Sequence, residues 1–440
     1  MARSRLLAVL AFVAALLVVA APAAQAAPTT DPTDAAAGWL AGQLTDGSHV
    51  ELDFGDGVTF PDQGLTLDAV LAFAAAGSGA DNATAGMAWL GSGTLATDYF
   101  GDGTSFSDAG RLAKVAYAAL VTGADPHDVG GVDVLGRLAS QLTPSGRYSD
   151  LPADQDLSNA FGQSFALLAL ARTPDGMPAS AISFLAGSEC PGGGFPLNYG
   201  TPTCLPDTDA TAMVVQALGL PGGDAAAAAR GVAWLVSQQN ADGSFNGTVT
   251  TDAPNTNSTG LIAQALTAAG RTDEAAAAVA WLRARQLGCT APVEQRGAVA
   301  YDAGGFDPGN VVRATTQAIL GMSGVGLAEL SLTGAAGPVS TLDCAGSPPP
   351  SATPTASPTA TPSRPAPSTP VPTASPTTGP TTGPTTSAAP VLPIQAPPTQ
   401  PTAGTLPNTG ATPLPVVWTG AGLVLLGAVT MVAGRRRRTS

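Results

Sequence analysis

Ala233-Trp234-Leu235-Val236-Ser237-Gln238-Gln239-Asn240-Ala241-Asp242-Gly243-Ser244-Phe245 joins the end of an amphipathic helix to a glycine turn that closes on a large aromatic residue. The order returns along the chain. Trp39, Trp89, Arg137, Phe184, Trp234 and Trp281 are each followed by Leu, at spacings of 50, 48, 47, 50 and 47 residues. A second series, Phe73, Leu120, Leu170, Leu218, Leu266 and Ile319, runs at 47, 50, 48, 48 and 53. A fixed period of this length marks a repeat architecture, in which one unit cannot bury its apolar face alone. Because the two series interleave, each of six units is expected to hold two helices of about 12 to 15 residues.

The second helix of each unit is the more apolar, as in Ala210-Thr211-Ala212-Met213-Val214-Val215-Gln216-Ala217-Leu218 and Gly260-Leu261-Ile262-Ala263-Gln264-Ala265-Leu266. A helix with so little polar face is buried on most sides. The first helix keeps a polar stripe, with Arg283 and Arg285 beside Trp281-Leu282. Six apolar helices alternating with six amphipathic ones predict an all-α, closed ring of helical hairpins over residues 28–346. An open solenoid is the competing arrangement, and it would want polar caps on its end repeats.

Gly-aromatic turns recur between the helices: Gly243-Ser244-Phe245, Gly146-Arg147-Tyr148, Gly194-Phe195 and Gly305-Phe306, with His49 in one copy. A Trp-Leu helix followed by Gln and Gly-x-aromatic resembles the repeat of the squalene cyclase and prenyltransferase superfamily. The resemblance covers about residues 34–330, with Phe or Tyr where the superfamily usually has Trp. It implies an α6/α6 toroid, a ring that serves enzymes and ligand carriers alike, so fold alone does not assign an activity.

Asp207-Thr208-Asp209-Ala210-Thr211-Ala212 resembles the Asp-x-Asp-Asp-Thr-Ala motif of squalene–hopene-type cyclases, which implies Asp209, beside Asp207, as a candidate catalytic acid. The chain departs from that motif at Ala210. Asp62, Asn159, Asn255 with Asn257, and Asp307 with Asn310 stand at the equivalent place in other units. Asp and Asn there suit helix N-caps, whose side chains accept from free amides of the first turn. Asp62, Asn159, Asp207, Asp209, Asn255, Asn257 and Asn310 are therefore open to capping or to ligand contact. The cyclase reading also wants aromatic faces to stabilise carbocations. The inner helices offer few beyond Phe73, Tyr117, Phe161 and Phe165.

A glycan-acting toroid would need two carboxylates across a cleft, about 5 to 9.5 Å apart. Asp62, Asp108, Asp156, Asp207, Asp209 and Asp307 are expected to gather at one mouth, with no diagnostic pair among them. Prenyltransferases carry an Asp/Cys/His zinc site. Here the histidines are His49 and His127, with no matching cysteine, so neither metal nor cofactor is expected. The reading favours binding of a small-molecule or glycan ligand over catalysis.

The chain has 440 residues, with 18 Lys and Arg against 32 Asp and Glu. Arg3, Arg5 and Arg435 to Arg438 sit at the ends and Arg364 lies between, leaving 11 basic residues among all 32 acids in 28–346. Such an acidic body repels phosphate backbones and excludes nucleic acid as a natural partner.

Residues 1–27 read as a secretory signal peptide: a basic start, an apolar run from Leu6 to Ala21, and Ala24-Gln25-Ala26 as a small-x-small cleavage site. In an exported chain four cysteines favour two disulfides. Three pairings are open, and the local one is expected: Cys190 with Cys204, and Cys289 with Cys344. The first loop would contribute about 3 kcal/mol in the chain-entropy account.

From 347 to 405, 40 of 59 residues are Pro, Thr or Ser. This composition predicts a disordered stalk, reaching on the order of 180 Å at about 3.1 Å per residue. Leu406-Pro407-Asn408-Thr409-Gly410 follows, then an apolar span at 416–434 and a basic tail at 435–440. The span is long enough for a transmembrane helix, with the arginines on the cytoplasmic side. This order resembles the L-P-x-T-G sorting signal of Gram-positive cell-wall proteins. It implies sortase as a partner, cleavage after Thr409, and a covalent link from Thr409 to peptidoglycan. The mature protein is thus expected to be secreted and wall-anchored, its precursor held in the plasma membrane by 416–434.

Overall fold

The computed structural model describes residues 27–53, 58–247 and 252–345. The signal peptide up to Ala26, the stalk, the sorting motif and the 416–434 span lie outside the described residues. In chain order the first helices are α1 (Pro32–Ala41), α2 (Gln63–Ala76), α3 (Ala80–Leu90), α4 (Leu95–Phe100) and α5 (Ala109–Thr122). Next come α6 (Val134–Ser140), α7 (Ala160–Leu170), α8 (Ala179–Ala186), α9 (Thr208–Leu218) and α10 (Ala225–Ser237). The last are α11 (Thr256–Ala268), α12 (Thr272–Arg283) and α13 (Val311–Met322). Two short antiparallel hairpins, β1 (Glu51–Asp53) with β2 (Thr59–Pro61) and β3 (Phe195–Pro196) with β4 (Pro206–Asp207), decorate the loops.

Helices α2, α5, α7, α9, α11 and α13 pack each on the next, and α13 packs back on α2. The ring closes, so the toroid replaces the open solenoid. The inner helices are buried on nearly every side: all but the last residue of α7 and all of α9 are buried. Glycines let them approach closely. A Cβ on Gly162 of α7 would sit 2.7 Å from Gly110 Cα of α5, and one on Gly260 of α11 would sit 2.2 Å from the Gln317 carbonyl of α13. The outer helices run from 7 to 13 residues, shorter on average than expected.

The hairpins are offset by one helix from the sequence reading. Each inner helix packs chiefly with the outer helix after it, and α1 completes the ring against α13 and α2. Connection length explains the phase. Only a few residues separate α2 from α3 or α11 from α12, whereas about twenty lead from each outer helix to the next inner one.

Those long connections carry the Gly-aromatic turns, and one device seats them. A hydroxyl on the second turn of the inner helix accepts from the backbone N–H of the turn residue. The pairs are Thr66 with Val50 (3.0 Å), Thr211 with Phe195 (2.8 Å), Thr259 with Phe245 (3.0 Å) and Thr315 with Val299 (3.0 Å). Gln163 does the same for Tyr148 through Oε1. The sixth unit therefore turns at Gly297-Ala298-Val299. Gly305-Phe306, expected there, is a surface contact in which Phe306 meets Trp39 edge-on.

After α13 the chain crosses the end of the ring where the inner helices terminate. Tyr117 Oη donates to the Leu327 carbonyl (2.6 Å), Arg172 to those of Leu327, Ala328 and Leu330, and Gln264 to that of Val325, while Gln216 Oε1 accepts from Leu327 N–H. Segment 323–330 is thus tied to four inner helices as a floor. The disulfides are Cys190–Cys204 and Cys289–Cys344, as expected.

Candidate functional site

All inner helices begin at the end opposite the floor. Asp62, Asp108, Asn159, Asp207 and Asn255 cap α2, α5, α7, α9 and α11, accepting from first-turn amides at 2.8 to 3.2 Å. Asn310 stands at the sixth N-cap position and makes no such bond; its amide donates to Asp307 instead (2.7 Å). Asp156 lies in a loop, paired to Arg147 at 3.0 Å.

Between the caps and Leu327 of the floor runs a central cavity of about 50 Å³. Asp209, Asn255 and Asn257, of the seven residues singled out from sequence, line it; Asp62, Asn159, Asp207 and Asn310 do not. Its other polar walls are Asp68, Ser258, Arg313 and Gln317, and Phe161 and Phe165 give it aromatic surface. Three residues of its wall each carry a side-chain oxygen that is buried without a hydrogen-bond partner: Asp209 Oδ1, Asn257 Oδ1 and Gln317 Oε1. A buried acceptor left so costs about 1–3 kcal/mol.

The two carboxylates of the cavity have opposite surroundings. Asp68 on α2 is paired to Lys114 Nζ at 2.7 Å and meets Arg313 at 3.4 Å. Lys114 is fully buried and also donates to the Gly64 carbonyl. Asp209 sits on α9, three places round the ring of six, and only 8% of its surface is exposed. Burial, reinforced by the negative charge of Asp207 and opposed by the Ser258 and Thr208 hydroxyls, pushes its carboxyl up to about 7.

Sequence reading missed Asp68, Lys114, Arg313 and Gln317. A signal existed: Lys114 is the one lysine in the chain and stands inside Leu112-Ala113-Lys114-Val115-Ala116, where a solvated charge has no place. The histidines are remote from the cavity. His49 stacks on Trp89 with centroids 4.4 Å apart, and His127 meets Asp133 at 2.9 Å. Among the described residues no group of three His, Cys, Asp or Glu is placed to hold a metal.

No family model matches this sequence, and no curated protein matches it. Solved structures do. A protein from Actinoplanes superposes with a TM-score of 0.50 at 14% identity, over 67% of this chain and 98% of that one. The type II terpene cyclase MstE from Scytonema matches with a TM-score of 0.48 at 14% identity, over 66% and 96%. A glycosidase matches at 0.47 and 13%, over 68% and 99%. At such identities the likeness is one of fold: a helical toroid.

Proposed function

We propose that this chain is a sortase-anchored surface protein of a Gram-positive bacterium, and that its toroid is a non-catalytic cup for the end of a small polar ligand. The observation behind the cup is that Asp209, Asn257 and Gln317, which line one cavity floored at one end, each carry a buried oxygen without a partner. Binding relieves what folding leaves unpaired. The loops that lead into the mouth carry the large exposed apolar side chains of the described residues, including Phe60, Phe106, Leu157 and Leu205. Apolar exposure gathered in one set of loops suits contact with the part of a ligand that stays outside.

A cavity of about 50 Å³ suits the end of a small molecule. That space is small for a folded polyprenyl chain, which favours binding over a terpenoid cyclase. The enzyme reading that keeps support is a glycan-acting one. It draws on the contrast between Asp209, raised by burial, and Asp68, held between two cations. Mass spectrometry of small molecules that co-purify with the protein tests the cup, and recovery of none from native host material would oppose it. Assay of polyprenyl and oligosaccharide substrates should show no turnover; a product lost in Asp209→Asn would replace binding by catalysis. For anchoring, muralytic digestion of host walls should release a chain ending at Thr409 on a peptidoglycan fragment. Full recovery in detergent with Arg438 retained would refute it.

A further inference from the structure

The charges around Asp209 define the kind of group the cup takes. Helices α7, α8 and α11, which surround α9, carry no ionisable side chain. Helix α10 offers Arg230, which is already held by both oxygens of Glu189. On β4 the ionisable neighbour is Asp207, itself acidic. Across the cavity Arg313 turns to Asp68 at 3.4 Å and to Asp62 at 3.9 Å, and Lys114 is bonded to Asp68. No cation of the described residues is committed to Asp209. A buried carboxylate without a counter-ion is costly, and a bound cation is the direct remedy.

The neighbouring orphans narrow the choice. Asn257 on α11 and Gln317 on α13 follow α9 round the ring, so the three unpartnered oxygens belong to three consecutive helices of one wall. All three are acceptors. A primary ammonium offers three N–H donors and no acceptor, whereas a quaternary ammonium would leave every one of these oxygens unpaired. An anion would add negative charge beside Asp209 and Asp207. Phe161 and Phe165 supply aromatic faces, which attract a cation as well as a methylene stem. We infer that the cavity receives a primary ammonium group on a short apolar stem, held by Asp209, Asn257 and Gln317, an assignment that rests on the binding reading above.

Titration calorimetry of the full chain with n-butylammonium, n-butanol and butyrate tests this. Butylammonium should bind at least tenfold more tightly than butanol, and butyrate should not bind. Asp209→Asn should weaken butylammonium at least tenfold more than it weakens butanol. The wild type gives a second readout that needs no variant. Below about pH 7, ammonium binding should release a proton as Asp209 ionises to meet it, so affinity rises from about pH 5 to pH 8. Equal affinity for butanol and butylammonium, or unchanged affinity in Asp209→Asn, or no proton release, would overturn the ammonium assignment. A neutral or anionic molecule co-purifying in the cup would also overturn it, while leaving the binding reading standing. If none of the three probes binds and nothing co-purifies, both fall.

Discussion

Glycine positions differ sharply in what they tolerate. Gly243 has φ +89°, and a Cβ there would sit 2.5 Å from the Ala277 carbonyl on α12. Gly270 has φ +71° with nothing within 4 Å. Gly243→Ala should therefore cost about 3 kcal/mol and Gly270→Ala about 1 kcal/mol in denaturant unfolding, strain and clash against strain alone. Thr211→Val keeps the shape but strands the Phe195 N–H, for about 1–3 kcal/mol. Asp209 makes a prediction in pH. Its carboxyl rises from 3.8 unfolded to about 7 folded, so the folded state binds the extra proton. Its contribution to stability is complete below about pH 4 and is lost as pH rises towards and through 7. Asp209→Asn should flatten that part of the stability–pH curve. Asp150, raised to about 6 by burial and by Asp108, would keep its own share.

At the level of helices, the N-caps are unequal although their sequences look alike. Asp108→Ala should destabilise by about 1 kcal/mol because Asp108 accepts from Arg111 N–H, and Asn310→Ala by much less because no amide depends on it. Thermal unfolding of the two variants compares them directly. The existence and order of the helices were legible in the Trp-Leu and inner-leucine series, since burial on one face imposes its spacing on the residues. The pairing of the helices was not, because a repeat has a period but no phase; loop length chose it. The cap residues were legible for the same local reason. Asp68, Lys114 and Arg313 were not read, because a charge within an apolar helix becomes intelligible only when a partner on another helix is seen. Lys114→Met should cost about 3 kcal/mol by leaving buried Asp68 to Arg313 alone. Adding Asp68→Leu should recover much of that loss.

Across the molecule, closure depends on a seam where the first helix meets the last. Gly297 abuts the Ala35 carbonyl on α1, and Thr29 exchanges backbone bonds with Thr341 and Asp343. The Cys289–Cys344 bond lies at the same seam with a sequence separation of 55, so replacing both cysteines by serine should cost about 4 kcal/mol in the chain-entropy account. Melting with and without reductant measures it. The position of that bond has a mechanical consequence. Cys344 is nearly the last described residue before the stretch read as a stalk, so if the chain is tethered there as proposed, tension would meet a covalent stop before it reached the hydrogen bonds of Thr29 or the floor at 323–330. Load would pass sideways through Cys289 into the connection after α12. A pulled molecule with the bond intact should yield no extension from the residues between 289 and 344. After reduction the same pull would peel the seam open, beginning at Thr341 and Asp343 beside Thr29 and reaching the floor of the cup only afterwards.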